Sequence, residues 1–337
     1  MSISFSILIC TKNSQRLLEK VFNAIFEQST FHLIQQIIVV DYESNDSTKE
    51  LARDYCAQSK FNDLLILSCP LPGKGAALVM GLNNVRAQYC IVVDDDNILF
   101  PDFIEKAASY LISKPLIGCI GSCGELDAKL NPPDWFRNHM GAYAIGLPEN
   151  HEKLDWVWGA CSIINLDAWN RLHSSDFRFF LNPERVNSST PIDIGGEDVE
   201  LSLAIRMIGY RVVWMNELRF IHSFQQSRLS ETYFLKNNLG VCRSAPIHSL
   251  YRLLTYKEDD RLPFLNWTIG VYKNLIGSIL RACKHAFAGN FFESQFHWTV
   301  FKGILGGYIV SAPRFGKIFN SLRTLKSRGE ITSRQLF

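Results

Sequence analysis

Short apolar runs alternate with stretches of helical periodicity over residues 3 to about 121. The predicted strands are Ile3–Cys10, Gln36–Asp41, Leu64–Leu67, Tyr89–Val93 and Leu116–Ile120. Helices are predicted around Leu17–Ile25 and at Thr48–Ala57, Ala76–Ala87 and 102–113. The strands are continuously apolar rather than alternating, which is typical of a parallel sheet covered by helices on both faces. This part of the sequence therefore predicts an α/β fold.

The periodicity weakens after residue 121 and then returns. Residues 122–155 are predicted to be a loop-rich insertion, and Trp156–Leu166 a strand. A polar loop at 182–196 precedes a predicted helix that runs from Glu197 to Gly209, and a strand follows at Tyr210–Trp214. Beyond about residue 228 the chain is predicted to be mostly helical. We therefore expect a first domain over 1–228, with halves 1–121 and 122–228, and a helical C-terminal region over 229–337.

Composition and charge narrow the classes of protein. The 337 residues are 47% hydrophobic and 20% charged, which excludes disorder and coiled coil for the whole chain. The formal net charge of +2 gives no indication of nucleic-acid binding. However, residues 264–337 contain ten Lys or Arg and two Glu, a local charge of +8 beside a body of −6. A basic, aromatic segment of this kind predicts an interaction surface, and an anionic membrane surface is the expected partner.

The cysteines and the apolar runs indicate in which cellular compartment the protein is expected. The nine cysteines include no Cys-x-x-Cys pair, and most lie in apolar runs, so we expect free buried thiols rather than disulfides or a zinc site. The apolar N-terminal run lacks a basic segment and is expected to be a buried strand, not a signal peptide. No apolar run reaches the length of about 18 residues that spans a membrane. The expected location is cytoplasmic, with peripheral association on the cytoplasmic face of the membrane.

Three adjacent carboxylates end the fourth predicted strand, at Asp94, Asp95 and Asp96, with Asn97 following. The carboxyl edge of an open α/β sheet is where ligands bind. Carboxylate oxygens suit Mg²⁺ or Mn²⁺, and alternate residues of an extended stretch point the same way, so Asp94 and Asp96 could share one metal or ligand. The alternative is a solvated acidic turn before the next helix.

Two glycines, Gly195 and Gly196, precede Glu197 and Asp198 at a predicted helix start. A carboxylate at a helix N-terminus is usually a capping residue, because the helix dipole stabilises it. The functional interpretation is a general base that deprotonates a hydroxyl nucleophile.

The other predicted strands also end in polar residues, at Thr11-Lys12-Asn13, Asp41 and the loop Pro72-Gly73-Lys74-Gly75. In a parallel sheet these ends lie on one edge together with the acidic triplet. The spacing around Lys74 matches neither a P-loop nor a dinucleotide fingerprint. A lysine at a helix start nevertheless suits a diphosphate.

These segments, in this order, resemble a family 2 glycosyltransferase with the GT-A fold, over about residues 3–245. The matching pieces are Ser6–Asn13, Ile38–Asp41 with Ser44–Thr48, Gly73-Lys74-Gly75 with Gly81–Asn83, Val93–Asn97 with Pro101, Gly159-Ala160, and Gly196–Leu201 with Arg206 and Gly209. Each piece is weak alone, and a capping or acidic-turn interpretation predicts no coupling between them. The order of the six pieces is therefore what identifies the chain as a member of this family.

The resemblance implies a role for individual residues. Asp41 would hydrogen-bond the nucleotide base, with Thr11 and Asn13 beside it, and Lys74 and Gly159 would line the nucleotide-sugar site. Asp96, with Asp94 or Asp95, corresponds to the DxD motif that binds the metal, Mn²⁺ or Mg²⁺, and the ribose. Asp198, or alternatively Glu197, corresponds to the catalytic base of inverting members. His222 lies where related enzymes sometimes place a further metal or phosphate contact, although a lone histidine after a strand is more often structural.

Two departures from the family pattern matter. Many relatives have an aromatic residue at the Lys12 position that stacks on the base, which a lysine does not. Processive members have Gln-x-x-Arg-Trp after the base, whereas Gln225–Leu229 has leucine for tryptophan. A single-addition transferase is therefore expected.

The resemblance implies a GT-A-type, mostly parallel nucleotide-binding sheet flanked by helices, with a nucleotide-binding half at 1–121 and an acceptor half at 122–228. The expected function is inverting, metal-dependent transfer of a sugar from a UDP-, GDP- or dTDP-linked donor. The hydroxyl acceptor would be a glycan or a lipid-linked molecule, in cell-surface polysaccharide biosynthesis. Two alternatives are a nucleotidyltransferase that makes a sugar nucleotide and a non-catalytic glycan-binding protein with this fold. A nucleotidyltransferase would be expected to have a glycine-rich, basic phosphate loop near its N-terminus, and Thr11-Lys12-Asn13 is not such a loop. A glycan-binding protein would have no need of a catalytic base such as the acids at 197 and 198.

Overall fold

A computed structural model describes residues 3–71, 73–181, 195–257 and 261–329. The chain divides into two compact units. Unit 1 comprises Met1–Asn131, His139–His173 and Tyr210–Phe224, and unit 2 comprises Pro132–Asn138, Ser174–Gly209 and Gln225–Phe337. The predicted boundary after residue 228 lies near the last of these breaks, whereas 174–209 belong to unit 2. The functional halves 1–121 and 122–228 stay a prediction.

Unit 1 is built on one sheet, to which eight strands of the described ranges belong. They are β1 (Phe5–Thr11), β2 (Ile34–Asp41), β3 (Leu64–Ser68), β4 (Tyr89–Asp94), β5 (Asn97–Leu99), β6 (Ile117–Leu126), β7 (Ser162–Asn165) and β8 (Arg211–His222). Their order in the sheet is β3-β2-β1-β4-β7-β6-β8-β5. Strands β1 to β4 are parallel, as are β6 and β8, whereas β7 and β5 run antiparallel to their neighbours. The predicted α/β fold with a mostly parallel sheet is confirmed.

The central strands are buried on both faces, which explains why their sequences are continuously apolar. Every residue of β1 is buried, and so is every residue of β2 except Gln35. The helices of unit 1 cover the sheet with their apolar faces. They are α1 (Leu18–Phe26), α2 (Thr48–Gln58), α3 (Lys74–Leu82), α4 (Phe103–Leu111) and α5 (Leu166–Ser174), the last of which ends at the boundary of the unit.

Several predicted bounds after residue 115 are wrong. Strand β6 continues to Leu126, so residues 122–126 are sheet and not the start of a loop. Only Ser162–Asn165 of the predicted strand Trp156–Leu166 is extended, and β8 continues eight residues past Trp214, to His222. Residues 157–161 are buried in an irregular segment, which explains their apolar sequence, and the Trp158 indole N–H donates to the carbonyl of Ser122 at 3.1 Å.

Unit 2 is helical in the residues described. Its helices are α6 (Glu197–Met207), α7 (Glu231–Tyr256), α8 (Pro263–Phe287), α9 (Phe291–Ser311) and α10 (Phe315–Gly329). The predicted end of the helix that begins at Glu197 is confirmed, because α6 stops at Met207 and Gly209 has a φ of 103°. The polar loop predicted at 182–196 lies outside the described residues, except for Gly195 and Gly196.

Helices α7 and α9 pack closely through small residues. A Cβ at Gly307 would overlap the carbonyl oxygen of Arg243, and one at Gly303 would lie 2.5 Å from the Cβ of Cys242. Apolar residues of the C-terminal region such as Trp267, Leu275 and Ile304 are buried. Much of the apolar content of residues 263–311 is therefore ordinary helix packing.

Candidate active site

The carboxyl ends of the parallel strands of unit 1 lie in one row. In the ladder register Thr11 is paired with Asp41, Asp41 with Ser68, and Cys10 with Asp94. The edge that the sequence predicted from separate polar strand ends is therefore present. It is the edge at which open α/β sheets bind ligands.

Asp41 is buried, with 1% of its surface exposed, and only one of its two carboxylate oxygens has a partner. Oδ2 accepts from the backbone N–H of Ser44 at 3.4 Å and lies 3.4 Å from the Lys49 ammonium. Oδ1 has no hydrogen-bond partner among the described residues. Buried carboxylate oxygens are normally satisfied, so an oxygen left open at a ligand-binding edge fits an N–H donor from a bound molecule.

The loop after β1 is fixed by hydrogen bonds to its neighbours. The hydroxyls of Thr11 and Ser14 both donate to Oδ2 of Asp95, the former at 2.8 Å. Asn13 has a left-handed φ of 55°, its N–H donates to Ser44 Oγ at 2.8 Å, and its side-chain oxygen accepts from the N–H of Asn45 at 2.8 Å. Thr11 and Asn13 therefore shape the edge around Asp41, with the Thr11 hydroxyl and the Asn13 side-chain oxygen engaged within the protein.

Asp95 supports the loop. Burial raises the pKa of its carboxyl, and the nearby Asp96 carboxylate raises it further, against the lowering effect of the Ser14 and Thr11 hydroxyls. A carboxyl group enclosed in this way is suited to holding the β1 loop on the sheet rather than to binding a cation from solvent.

Lys74 and Asp94 form an ion pair at the start of α3. Gly73 precedes the helix with a φ of 100°, a left-handed conformation that favours glycine, and so places Lys74 in the first turn. The ammonium group lies near the carboxyl end of β4, where a cation suits a diphosphate. In the structure it neutralises Asp94.

Asp96 has a different partner from Asp94. The chain turns at residues 95 and 96 instead of staying extended, so the alternation expected for Asp94 and Asp96 does not apply. Asp96 is 3% exposed, and its Oδ1 lies 3.2 Å from Nε2 of His222. His222 is brought there by the antiparallel pairing of Asn97 with His222 between β5 and β8.

The His222 ring is oriented on both sides. Its Nδ1–H donates to the carbonyl of Tyr143 at 2.7 Å, and Nε2 faces Asp96. Burial lowers the pKa of His222, but the hydrogen bond to Asp96, the charge of that carboxylate and the Tyr143 carbonyl outweigh it, so the net pKa is raised. The family resemblance suggested His222 as a further metal contact with Asp96, but no local pattern predicts that the two side chains meet, because the pairing of β5 with β8 joins positions more than a hundred residues apart.

The donor set is consistent with a divalent ion that a substrate helps to hold. Among the described residues no group of three or more His, Cys, Asp or Glu is arranged to hold a metal. Asp96 and His222 offer two ligands: Nδ1–H is engaged by Tyr143, and Nε2, which faces Asp96 in this structure, is the ring nitrogen that would bind an ion once it has lost its proton. Magnesium and manganese in phosphate-transfer sites commonly take one or two protein ligands and complete their shell with phosphate oxygens and water. The two residues therefore fit an ion bridged to a diphosphate.

Gly159 is buried in the turn before β7, and its carbonyl accepts from the N–H and the hydroxyl of Ser162, both at 3.2 Å. Cys161, two residues later, has a φ of 51°, and its thiol donates to Oδ1 of Asn97 at 3.5 Å. Asn97 in turn donates to Oδ1 of Asp96 at 3.3 Å. The turn at Gly159 thus supports the residues next to Asp96, which the sequence did not predict.

The first turn of α6 in unit 2 contains the candidate bases. Glu197 and Asp198 are both half-buried. Oδ1 of Asp198 accepts from the N–H of Val199 at 2.8 Å, and its carbonyl accepts from the Ser202 hydroxyl at 2.7 Å. The first turn is held by α7, since the His248 Nε2–H donates to the carbonyl of Gly196 at 3.0 Å.

Glu200, which the sequence analysis did not single out, is a fully buried carboxyl in the same helix. It accepts from the N–H groups of Phe180 and Leu181, at 2.8 and 3.3 Å, and from the Tyr251 hydroxyl at 2.8 Å. Burial raises the pKa of Glu200 to about 7. Glu200 therefore joins three segments of unit 2 at the base of the helix that begins with Glu197 and Asp198.

The chain is similar in sequence to known glycosyltransferases. The model of the family described as "Glycosyl transferase family 2" matches residues 6–172. Glycosyltransferase GlyA of Streptococcus pneumoniae is 20% identical over 68% of this chain and 32% of its own length. An uncharacterized glycosyltransferase, MG025 of Mycoplasma genitalium, is 26% identical over 34% of this chain and 38% of its own length. The chain thus spans about a third of the length of these curated relatives.

Two solved structures share the fold. Residues 1–349 of TarS from S. aureus, which has also been solved with UDP-GlcNAc, match 90% of this chain and 92% of that chain, with a TM-score of 0.51 and 13% identity. The mannosyltransferase PcManGT of Pyrobaculum calidifontis, solved with GDP-Man and Mn²⁺, matches 96% of this chain and 86% of that chain, with a TM-score of 0.53 and 16% identity. At these identities the likeness is evidence of the fold.

Proposed function

The chain belongs to family 2 of the glycosyltransferases, and on that premise we propose that it transfers a sugar from a nucleotide-diphosphate donor to a hydroxyl acceptor. The acceptor we propose is a glycan or a lipid-linked molecule of a cell-surface polysaccharide. The protein would act at a membrane surface, to which its C-terminal region binds.

The observation that supports the proposal most is the open Oδ1 of Asp41 at the carboxyl edge of the sheet. Uracil, thymine and guanine each present an imino N–H that such an oxygen accepts, and Asp41 is the residue that the family resemblance assigns to the base. The Lys49 ammonium lies 3.4 Å from the other carboxylate oxygen, Oδ2, and leaves Oδ1 for the base. Lys74 would then face the diphosphate from the start of α3.

The proposed reaction inverts the anomeric carbon. The acceptor oxygen attacks that carbon from the face opposite the diphosphate, the bond from carbon to the diphosphate oxygen breaks, and the acceptor proton passes to the Asp198 carboxylate. The products are the new glycoside and a nucleoside diphosphate. Asp96 and His222 would hold a divalent ion, Mn²⁺ or Mg²⁺, whose chemistry is to neutralise the charge of the leaving diphosphate.

Asp198→Asn tests the proposed base. The substitution keeps the shape of the side chain and removes its basicity, so kcat should fall by about 10²–10⁴-fold while the affinity for the donor stays the same. Without a known acceptor, the assay is release of UDP or GDP from UDP-GlcNAc and GDP-mannose, with water or an added glycan as acceptor. Glu197→Gln is the matched control, one residue away in the same helical turn.

The outcomes separate the proposals. A larger loss in Glu197→Gln than in Asp198→Asn would move the base to Glu197. A product with retained anomeric configuration would exclude the base mechanism. Formation of pyrophosphate from a nucleoside triphosphate and a sugar phosphate would identify a nucleotidyltransferase, and no turnover with any donor would favour a glycan-binding protein.

A further inference from the structure

Helix α8 exposes an apolar stripe to solvent. Leu265, Ile269, Tyr272, Ile276 and Leu280 follow one another at helical spacing and have exposed fractions between 43% and 65%. Surface side chains of this size are usually scattered, and a continuous row on one helix face indicates an interaction surface. Phe287, at the end of the same face, is 94% exposed.

The packing of unit 2 does not require this stripe. The opposite face of α8 already supplies its core contacts through buried residues, namely Trp267, Val271, Leu275, Ser278 and Ala282. The Trp267 indole N–H donates to the carbonyl of Pro246 in α7 at 2.9 Å, which fixes the rotation of α8 about its axis. The apolar stripe therefore faces away from the core of unit 2.

The charge of α8 indicates what covers the stripe. The helix contains no Asp or Glu and has three basic residues, Lys273, Arg281 and Lys284. Lys273 follows Ile269 by four positions and Lys284 follows Leu280 by four, so both lie along one border of the stripe. Among the described residues, none of the three forms an ion pair. A row of large apolar side chains bordered by unneutralised cations matches the interfacial region of an anionic bilayer.

We propose that α8 binds the surface of an anionic membrane, lying in the plane of the interface with its apolar stripe among the headgroups and upper acyl chains. Lysine and arginine stems extend along the apolar layer while their charges reach the lipid phosphates. In the described ranges no helix is long and apolar enough to cross a membrane, so the binding we propose is peripheral. This inference rests on the membrane binding included in the proposed function and names its surface and lipid chemistry, whereas vesicle binding is measured separately from the transfer reaction.

A second copy of the chain fits the stripe less well. Two α8 helices packed through their stripes would bring their basic borders close together, and α8 has no acid to neutralise them. Like charges at such a contact oppose association. Acidic phospholipids supply the missing negative charge.

The basic residues around α10 are weaker candidates for membrane binding than those of α8. Much of the local charge of +8 lies in and before α10, but Lys326 is buried there and donates to the carbonyl of Leu254 at 3.2 Å. Arg328 pairs with Asp176 at 2.9 Å. Both of these charges have partners within unit 2, whereas those of α8 do not.

Vesicle binding tests the proposal with matched variants of the full chain. Wild type should bind phosphatidylcholine vesicles that contain phosphatidylserine, bind vesicles of phosphatidylcholine alone far more weakly, and lose affinity as salt rises. Lys273→Gln, Arg281→Gln and Lys284→Gln combined should lower the affinity by about 100-fold, since each cation near such a surface contributes about 5-fold. The control triple, Arg314→Gln, Lys317→Gln and Arg323→Gln, removes the same charge from the segment around α10 and should have a smaller effect.

The apolar part of the proposal has its own pair of variants. Ile276→Asp should abolish vesicle binding, whereas Ile112→Asp, at a more exposed isoleucine in unit 1, should not. In addition, a polarity-sensitive fluorophore on the exposed thiol of Cys283, one heptad after Ile276, should shift its emission to the blue when anionic vesicles are added. Equal losses from the two charge triples, or no emission shift, would overturn the proposal. So would a lipid-free dimer that Ile276→Asp dissociates, because the stripe would then bind a second copy.

Discussion

Asp41 combines two features that rarely occur together, complete burial and a carboxylate oxygen without a donor. A hydrogen bond to a charged group contributes about 1.5–3 kcal/mol, and the other oxygen is already engaged by Lys49 and Ser44. A donor from a nucleotide that reaches the open oxygen would therefore add binding energy of this order.

Replacing Asp41 with asparagine should weaken nucleotide binding. Loss of one charged hydrogen bond predicts an affinity for UDP or GDP lower by about 10- to 100-fold, measured by isothermal titration calorimetry. Asp63→Asn is the matched control, because Asp63 is paired with Arg86 away from the carboxyl edge. Equal affinities of wild type and Asp41→Asn for both nucleotides would contradict the role given to Asp41.

Single residues show where prediction from the sequence works at this site. Asp41 could be predicted because it ends an apolar run, and the ends of parallel strands share an edge. The expected joint role of Asp94 and Asp96 relied on an extended backbone, and the turn at 95–96 gives them different partners, Lys74 and His222. No local pattern predicts a turn of two residues inside an acidic run.

At the scale of elements, the start of α6 depends on a glycine and on one face of α7. Gly196 has a φ of 100°, and a Cβ there would lie 2.8 Å from Oγ of Ser244 and 3.0 Å from Cε1 of His248. Both the backbone conformation and the close approach therefore require glycine at this position. The neighbouring Gly195 does not have a left-handed φ. A Cβ there would lie 3.3 Å from Cγ2 of Val241, a less severe approach than at Gly196.

This difference predicts unequal effects of alanine at adjacent glycines. Gly196→Ala should lower the free energy of unfolding by about 1–3 kcal/mol, the usual cost of a strained left-handed residue, and should reduce kcat by displacing the first turn of α6. Gly195→Ala should change the stability by less than about 1 kcal/mol. Urea unfolding followed by circular dichroism measures both, and equal destabilisation would show that α7 does not constrain Gly196.

Elements also show why some predictions are wrong. Helix α6 and the central strands have long, regular patterns, and their positions were predicted to within a few residues. Strand β5 has only three residues and was missed, and α5 was not predicted, with its first residue, Leu166, placed at the end of a predicted strand. Both depend on neighbours distant in sequence, β5 on its pairing with β8 and α5 on burial of Ala168 and Leu172.

For the whole molecule, the two-ligand site predicts that metal and nucleotide bind together. Mn²⁺ with UDP or GDP should raise the Tm by several degrees, because a ligand that binds only the folded state stabilises it. EDTA should remove that rise while leaving the Tm of the free protein unchanged. A large shift with Mn²⁺ alone, or a nucleotide shift that persists in EDTA, would contradict an ion held jointly by Asp96, His222 and a diphosphate.

The fold class could be predicted from the sequence because repeated strand and helix units are local. The order of the strands could not, because β7 enters the sheet antiparallel between β4 and β6 although it follows both in the chain. The free thiols were also predictable, since most of the cysteines lie in buried strands and turns. The metal requirement, the base and the acceptor stay predictions.

The irregular pairing of β8 bears on how this chain can change in length over evolution. Between Trp214 and Arg219, β8 contains more residues than β6 does between their partners, Gly121 and Cys123. Insertions and deletions at 215–218 would be absorbed by this existing bulge. After it, Arg219–His222 pairs residue by residue with β6, and one residue gained or lost there would turn His222 to the opposite face, away from Asp96. In descendants of this chain, substitutions at the site are thus separable from changes of length, and a change of length within the last four positions of β8 would separate His222 from Asp96, the pair proposed to hold the metal.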